Sequence, residues 1–501
     1  MLRPRLTRSL LKETALPPSV EVGSLDAFPE RVLQFGEGNF LRAFLDWMID
    51  RLNGAGLFKG RVLVVQPIEQ GLVDALNEQE GLYTLILRGL ERLRPVEVRR
   101  VITCVSRGLN PYTQWRQLLE SAGNPSLRVV ASNTTEIGIA YEPEERPAGV
   151  CPRSFPAKVA AWLFERFSHF GGAPNKGIIF LPCELIDQNG DALQRAILRH
   201  ADRWGLGAEF VRWVESANIF LNTLVDRIVS GYPRQEGDAI LGELGYEDRL
   251  LDAGEIYHLL VIEGPESARE ILPFHEAGMN VVWTRDIEPY RTRKVAILNG
   301  AHTASVLAAY LAGIEIVRDM MEDGVFGPYV RALVFDEILP TIEMEIGEKR
   351  SFAEAVLERF RNPFMRHELL SISLNSVGKW RERVLPTLKK SLRKTGRPPR
   401  LLSFSLAALI AFYRGRLQGA TLACMRGDRE YLVRDQKEVL EFFAAEWKRS
   451  DVPVLVRATL AETRFWGEDL TKLGGLEDLV RGDLREILAR GTLAAVRDLL
   501  P

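Results

Sequence analysis

The sequence is poor in cysteine and histidine. Its 501 residues include only four cysteines and six histidines. The cysteines form no CxxC pair, and the histidines form no HxxxH or HExxH pair. We therefore predict neither a structural zinc site nor a disulfide framework, and no local pattern supports a catalytic metal. Scattered free thiols indicate a reducing compartment.

Long apolar segments and a strong net charge are also absent. The longest apolar-looking run, residues 401–413, is too short to span a bilayer and contains two serines, so it predicts a core helix. A formal net charge of -2 gives no basic field for nucleic acid. The basic N-terminus lacks the apolar core and cleavage site of a secretory signal. We expect a cytoplasmic protein that binds neither nucleic acid nor membranes.

The chain is too long for one core, and its two halves differ in pattern. The first half alternates β-rich runs with helical stretches, which predicts a mostly parallel sheet. Its predicted strands are 31–35, 61–66, 98–105, 127–132, 177–182 and 279–284. Helical periodicity dominates from about residue 294, including 358–374, 438–450 and 476–491. We predict an α/β Rossmann-like domain over residues 1–287, with a short N-terminal extension, and an all-α domain over residues 288–501.

Residues 35–42 follow the first predicted strand and resemble a dinucleotide loop. The strand runs through a Gly-Glu-Gly turn directly into an amphipathic helix. Glycines let the chain approach a pyrophosphate, and a helix N-terminus offers free N–H groups. Leu41 replaces the usual third glycine, and the neighbouring Arg42 could neutralise phosphate; an ordinary strand-to-helix turn is the alternative. The candidate cofactor-binding residues are Phe35, Gly36, Glu37, Gly38, Asn39, Phe40 and Arg42.

Two other strand ends bear on the cofactor. The second strand ends at Gln66-Pro67 and not at the acid that usually holds an NAD ribose, so the residues leave NAD and NADP open. Segment 131–138 is polar and includes Thr135 and Glu136 after another strand, where open α/β sheets bind ligands. We add these two residues to the cofactor-binding candidates; a polar turn with a helix cap is the alternative.

An apolar helix predicted over 294–310 carries Lys294, Asn299 and His302. At about 100° per residue they project at roughly 0°, 140° and 80°, on one side of the helix, with Lys294 near its first turn. A lysine against apolar surface should have a lowered pKa and could act as a base. Asn299 could donate to a developing alkoxide, and His302 could bind a hydroxyl. The set suits metal-free hydride transfer, while a snorkelling lysine, a helix kink and a core histidine are the alternatives.

Two further segments place charge among apolar residues. Segment 220–233 is predicted as a hydrophobic helix, in which Asp226 is either a site residue or the ion-pair partner of Arg227. Segment 379–400, which begins at Lys379, contains nine Lys and Arg residues against one Glu. It suggests either steering of an anionic substrate or a solvated basic face.

Taken together, these segments resemble the polyol-specific long-chain dehydrogenases of the mannitol dehydrogenase family, from about residue 30 to about residue 480. The K-x4-N-x2-H motif of the family appears as Lys294, Asn299 and His302. Its G-x-G-x-F-x-R-A loop appears at 36–43, and its V-D-R-I element at 225–228. The stretches QFGEGNFLRAF, LPCELIDQNG, LNGAHT and SISLNSVGKW are similar to the tagaturonate branch in particular.

The resemblance implies a metal-independent, NAD(H)-linked enzyme of cytoplasmic hexuronate catabolism. It would reduce a small sugar acid, the keto-uronate D-tagaturonate, to D-altronate. The resemblance also implies that Lys294 is the general acid/base, that Asn299 stabilises the oxyanion and that His302 orients the substrate. A fructuronate (mannonate) reductase or a mannitol-type polyol dehydrogenase is the alternative enzyme, and a non-catalytic sugar-acid or nucleotide sensor is the alternative from another class.

Three departures from mannitol dehydrogenases favour a sugar acid over a neutral hexitol. Leu185 stands where the family has an oxyanion-binding asparagine, Arg291 where it has an acid, and Ser371 where it has a substrate-binding arginine. A uronate carboxylate needs a cation. The candidate substrate-binding residues are Asp226, Arg291, Lys379 and Arg381.

Overall fold

A computed structural model describes residues 3–134, 137–449 and 451–500. The described chain divides into two compact units. The first contains the chain up to Gly89 and Val96–Ile287, and the second contains Leu90–Pro95 and the chain from Glu288 onward. The predicted candidates Thr135 and Glu136 lie outside the described residues.

The first unit is built on a parallel sheet. Strands β1 to β13 are Val20–Val22, Glu30–Phe35, Arg61–Val65, Tyr83–Glu91, Arg94–Ile102, Val105–Leu109, Val129–Ser132, Ile179–Pro182, Ile219–Phe220, Asn222–Asp226, Asp252–Glu255, Leu259–Glu263 and Val281–Thr284. Six of them form a sheet in the order β6-β3-β2-β7-β8-β9, with parallel neighbours throughout. Numbered within this sheet, the order is 3-2-1-4-5-6, as in the Rossmann fold.

Both faces of this sheet are buried, which explains the nearly continuous apolar runs of its strands. In β2, Val32 belongs to the hydrophobic cluster on one face, while Leu33 and Phe35 belong to the cluster on the other. Helices cover the sheet. The α-helices of the first unit are Arg8–Glu13, Asn39–Leu41, Trp47–Gly54, Val73–Glu78, Pro111–Ser121, Phe155–His169, Asn189–Arg203, Ala208–Ala217, Gly237–Leu244 and Glu266–Ile271, with a π-helix at Arg42–Asp46.

Two predictions for the first unit are wrong. The run 98–105 is not one strand, because Thr103 interrupts it where its N–H donates to Asp50 Oδ1 at 2.9 Å. Strand β5 before the break joins a second sheet, β1-β5-β4-β11, and only β6 after it belongs to the Rossmann sheet. Segment 220–233 is not a helix: residues Asn222–Asp226 form β10, antiparallel to β12 in a third sheet, β10-β12-β13.

The second unit is rich in helices, as predicted. Its α-helices are Glu288–Lys294, Ala301–Leu311, Val317–Glu322, Phe326–Ala332, Ile346–Phe360, Leu369–Ile372, Ser376–Arg383, Leu385–Thr395, Arg400–Phe412, Lys437–Arg449, Val452–Ala461, Thr463–Trp466, Leu476–Arg490 and Thr492–Arg497. Two π-helices lie at Val295–Gly300 and Leu333–Ile338. The apolar run 401–413 is a core helix whose residues from Leu401 to Phe412 are all buried.

Two details of the second unit differ from the prediction. Strands β14 to β16, Gly415–Gln418, Thr421–Arg426 and Arg429–Val433, form an antiparallel sheet in a region predicted to be all helical. The predicted helix 358–374 ends at Phe360 and resumes only at Leu369, because Asn362-Pro363 forms a turn in which the Phe364 N–H donates to Asn362 Oδ1 at 3.0 Å.

Candidate active site

The Gly-Glu-Gly loop follows β2 at the carboxyl edge of the Rossmann sheet. Gly36 has a φ of +127°, a conformation open in practice only to glycine. A Cβ added there would lie 3.0 Å from Leu41 Cδ1 and 3.1 Å from the Asn133 carbonyl oxygen. A Cβ at Gly38 would meet nothing within 4 Å. The loop therefore passes close to the β7 loop and enters the helix that begins at Asn39.

Arg42 is turned into the protein, where its side chain is 4% exposed. Its Nε donates to the Glu37 carbonyl at 3.2 Å, and its Nη2 donates to Asn39 Oδ1 at 2.6 Å. Its Nη1 donates to the Leu250 carbonyl, and Nη2 lies 3.7 Å from Asp252 Oδ2. Arg42 thus ties the loop to the segment around residue 250. In this arrangement it supports the cofactor-binding candidates from behind and does not present its charge to a phosphate.

The other candidates of this loop have different surroundings. Phe35 packs in the core against Phe155, with ring centroids 5.0 Å apart, and Phe40 stacks on Phe44 at the same separation. Glu37 is buried, and burial raises the pKa of its carboxyl. Of the set, Gly36 and Gly38 with the first N–H groups of the helix could hold a dinucleotide.

The polar turn after β7 is organised by Glu184, which the sequence analysis did not single out. Its Oε1 accepts from the Thr134 N–H at 2.9 Å and its Oε2 from Ser132 Oγ at 3.1 Å. Asn133 Nδ2 donates to the Cys183 carbonyl at 2.7 Å. Burial raises the pKa of Glu184. β2 and β7 are adjacent strands at which the sheet order reverses, the position where such sheets bind ligands.

Two buried carboxyls, those of Asp46 and Asp252, interact with Arg42. Asp46 is fully buried and accepts from Tyr83 Oη at 3.1 Å, and Asp252 lies beside Arg42. Burial raises the pKa of each carboxyl to about 7. Because these pKa values exceed the ordinary value, the folded protein binds more protons than the unfolded chain between about pH 4 and pH 7.

We therefore expect the free energy of unfolding to fall as the pH rises from about 4 to about 7, by roughly 1.4 kcal/mol for each unit of pKa shift. Asp46→Asn replaces the titrating carboxyl by a neutral amide of similar shape. The cost of this substitution should be smaller at pH 8 than at pH 5 in urea unfolding. Parallel pH profiles for the two proteins would contradict a titrating Asp46.

Lys294, Asn299 and His302 lie on one continuous helical segment of the second unit. It begins at Glu288, so Lys294 is well inside it and not in its first turn as predicted. Residues Val295–Gly300 are π-helical, with hydrogen bonds between residues five apart and not four apart as in an α-helix. Residues five apart therefore come close to alignment, which brings Asn299 nearer to the face of Lys294 than the 140° of an ideal α-helix. Lys294 is half-buried.

Asn299 and His302 each have one buried polar atom without a partner among the described residues. Asn299 Oδ1 and His302 Nε2 are buried and have no hydrogen-bond partner among the described residues. The His302 ring stacks on Phe360, with centroids 3.9 Å apart and planes 10° apart, and meets His367 edge-on at 5.4 Å. Its ring orientation is therefore fixed by packing. An unpartnered buried polar atom is costly unless a ligand pairs with it.

Cations surround His302. Burial, followed by His367, Arg359, Arg383 and Lys379, holds the pKa of His302 well below its usual range, so the ring is neutral. The helix Ser376–Arg383 crosses the segment that carries Lys294 at Gly300, where an added Cβ would lie 3.1 Å from the Arg383 carbonyl oxygen. The glycine thus permits the close approach that brings these cations near the histidine.

The predicted substrate-binding residues of this unit differ in setting. Lys379 is half-buried, donates to the Ile372 carbonyl at 2.9 Å, and has a pKa lowered by burial. Arg381 has a side chain 42% exposed and pairs with Glu382 at 3.2 Å. Arg291 pairs with Glu288 at 3.1 Å. Only Lys379 therefore combines burial with a position among the groups that act on His302.

Asp226 ends strand β10 in the first unit and Arg227 follows it, and both are buried. Arg227 donates to three backbone carbonyls, those of Ala43, Tyr257 and Ile256, at 2.6, 3.0 and 3.1 Å. Burial lowers the pKa of Arg227 to about 9. Arg227 thus fastens β10 to the helix that follows the Gly-Glu-Gly loop.

Comparison with known families gives two matches, one in each of the two compact units. Residues 30–274 match the mannitol dehydrogenase Rossmann domain, and residues 286–487 match the mannitol dehydrogenase C-terminal domain. The chain belongs to the mannitol dehydrogenase family. It is therefore an oxidoreductase with a Rossmann domain and a helix-rich domain.

The chain is also similar to individual members and to solved structures. It is 46% identical to the altronate oxidoreductases of Enterobacter sp. (strain 638) and of Escherichia coli (strain K12), over 94% of this chain and 97% of theirs. Its fold matches Pseudomonas fluorescens mannitol 2-dehydrogenase, in a ternary complex with NAD and D-mannitol, with a TM-score of 0.68, 20% identity and 99% coverage of both chains. A substrate-free D-sorbitol dehydrogenase gives a TM-score of 0.80 at 20% identity, covering 98% of this chain and 100% of that one.

Two other findings concern the described residues. No helix there is long and apolar enough to cross a membrane. In the same part of the chain, no group of three or more His, Cys, Asp or Glu side chains is arranged to hold a metal ion.

Proposed function

We propose that this family member catalyses the reversible NAD(H)-dependent reduction of D-tagaturonate to D-altronate. The observation that carries the proposal is the 46% identity to altronate oxidoreductases over 94% of the chain. Lys294, Asn299 and His302 are present as a complete set on one helical segment. The reaction joins a ketone to a secondary alcohol and needs a hydride, a proton and an oxyanion donor.

The residues of the first unit fit a dinucleotide. Gly36 leaves open the space that a Cβ would fill between Leu41 and Asn133, and the helix N-terminus after Gly38 supplies N–H groups to a pyrophosphate. When bound, NAD(H) supplies or accepts the hydride. The chain offers no acid directly after β3: Gln66 is there, and its Nε2 donates to the carbonyls of Ile68 and Glu69. We propose NAD on the basis of the relatives.

We assign the proton to Lys294. In the reducing direction its ammonium donates a proton to the carbonyl oxygen of the ketone as the C–H bond forms, and in the oxidising direction the amine takes that proton back. The Asn299 amide N–H donates to the same oxygen and stabilises its developing negative charge. Neutral His302 directs its unpartnered Nε2 at a substrate hydroxyl.

A sugar acid also needs a partner for its carboxylate. Lys379 is the candidate we retain, because it is half-buried and acts on His302. Arg381 is exposed and paired, and Arg291 is paired with Glu288. Asp226, buried at the end of β10, remains a candidate for a substrate hydroxyl.

Initial rates of NADH oxidation test the substrate. Tagaturonate should give the highest kcat/KM, fructuronate a lower value and neutral fructose the lowest, because only the acids pair with a cation. NADPH in place of NADH tests the cofactor. Fastest turnover of fructose would refute the sugar-acid assignment, and fastest turnover of fructuronate would make the chain a mannonate oxidoreductase. A protein that binds these compounds without turnover would be a sensor.

We also propose a cytoplasmic location. All four cysteines are free, and three of them, Cys104, Cys183 and Cys424, are buried. Burial raises the pKa of each of these three thiols. Such thiols are inert packing groups and suit a reducing compartment.

A further inference from the structure

The second unit contains a cavity of about 260 Å³ beside the helical segment that carries Lys294. We propose that this cavity binds a small oxyanion, a phosphate or a carboxylate, at a site separate from Lys294, Asn299 and His302. Those three residues are not among its lining. The lining residues used below are Glu288, Arg291, Val295, Glu382, Arg383 and Lys390.

The cavity lies against a different face of the helix from the catalytic residues. Residues 288, 291, 292, 295 and 296 line it, which is the i, i+3, i+4, i+7, i+8 pattern of one helix face. Lys294 falls outside this pattern, about 100° from Val295 around the axis. A ligand in the cavity would therefore not occupy the place of the reacting ketone.

Among the described residues, the charges around the cavity leave one half-buried cation without a hydrogen-bonded ion pair. Arg291 pairs with Glu288 at 3.1 Å, and Glu382 pairs with Arg381 at 3.2 Å. Arg383 has no hydrogen-bond or ion-pair partner for its guanidinium among the described residues. It is half-buried, and burial lowers its pKa despite the charge of Glu382.

A carboxylate or phosphate pairs with a half-buried guanidinium through charged hydrogen bonds, which are stronger than those between neutral groups. Lys390 adds a second cation at the exposed rim of the cavity. The volume suits an ion or a small acid and not a drug-sized ligand. Because Arg383 is among the cations acting on His302, an anion bound to it would also weaken their influence on that histidine.

Isothermal titration calorimetry of the full chain with inorganic phosphate at low ionic strength tests the site. We expect one saturable site per chain. Arg383→Met should weaken binding by about tenfold or more, because it removes the charged donors. Lys390→Met, an exposed substitution that leaves the core intact, should weaken it by about threefold.

Arg393→Met is the matched control. Arg393 is exposed, lies one turn beyond Lys390 on the helix Leu385–Thr395 and does not line the cavity, so its loss should leave the affinity unchanged. Displacement of phosphate by gluconate would show that sugar-acid carboxylates share the site, and failure of displacement would assign it to phosphate. Absence of saturable phosphate binding, or equal weakening by Arg393→Met and Arg383→Met, would overturn the proposal.

Discussion

Lys294→Ala should lower kcat for the reduction of tagaturonate by about 100-fold or more, the usual cost of removing a general acid/base. KM should change much less, because a general acid/base acts on the proton that is transferred in the transition state. The pH dependence of kcat should also lose the ionisation that belongs to the lysine. Steady-state kinetics across pH 6 to 10 measures both effects.

Added amines distinguish a chemical role of Lys294 from a structural one. A small primary amine should restore part of the activity of Lys294→Ala, in proportion to the basicity of the amine. Lys437→Ala removes a lysine whose side chain is 81% exposed, and it should behave as the wild type. An unchanged kcat in Lys294→Ala would refute the assignment, and lost activity with no amine rescue would indicate a packing role.

Arg42→Met should cost about 3–5 kcal/mol of unfolding free energy, the usual price of breaking a buried charged network. The substitution leaves Asp252 without its cation and strips donors from the carbonyls of Glu37 and Leu250. KM for NADH should rise as well, because the same side chain holds the Gly-Glu-Gly loop. Urea unfolding and cofactor titration measure the two effects separately.

Arg51→Met provides the control for Arg42. Arg51 is exposed on the next turns of the same helical segment and only lies over the Trp47 ring, 5.8 Å from its centroid. Its loss should cost less than about 1 kcal/mol. If Arg42→Met were no more destabilising than Arg51→Met, the role of Arg42 in tying the Gly-Glu-Gly loop to the segment around residue 250 would be excluded. If the KM for NADH rose without loss of stability, Arg42 would contact the cofactor directly.

The sequence predicted the parallel sheet because its strands carry their signal locally. β2, β3, β7 and β8 are short apolar runs between helical stretches, and both of their faces are buried. The small sheets were not predicted. The run 98–105 has one composition but divides between two sheets at Thr103, a break set by the distant Asp50. A hydrogen bond to a residue about fifty positions away does not appear in the local sequence pattern, so the break could not be predicted from it.

The candidate residues were predicted by type and spacing, and their surroundings were not. A Gly-Glu-Gly turn between a strand and a helix is enough to predict the dinucleotide loop. The direction of the Arg42 side chain, by contrast, depends on Leu250 and Asp252. The role of Glu184 depends on the neighbouring strand β7. These contacts join residues far apart in the chain.

By itself, then, the sequence determined the alternation of strands and helices that builds the Rossmann sheet, the glycines that the loop requires and the candidate set Lys294, Asn299 and His302. Tertiary structure alone decided that the helix passes through a π-helical turn, that Arg42 points inward, and that Arg383 is half-buried. The physical reason is the distance along the chain over which each interaction acts. Backbone preference and apolar periodicity act over a few residues, whereas burial and charge pairing depend on what the fold brings together.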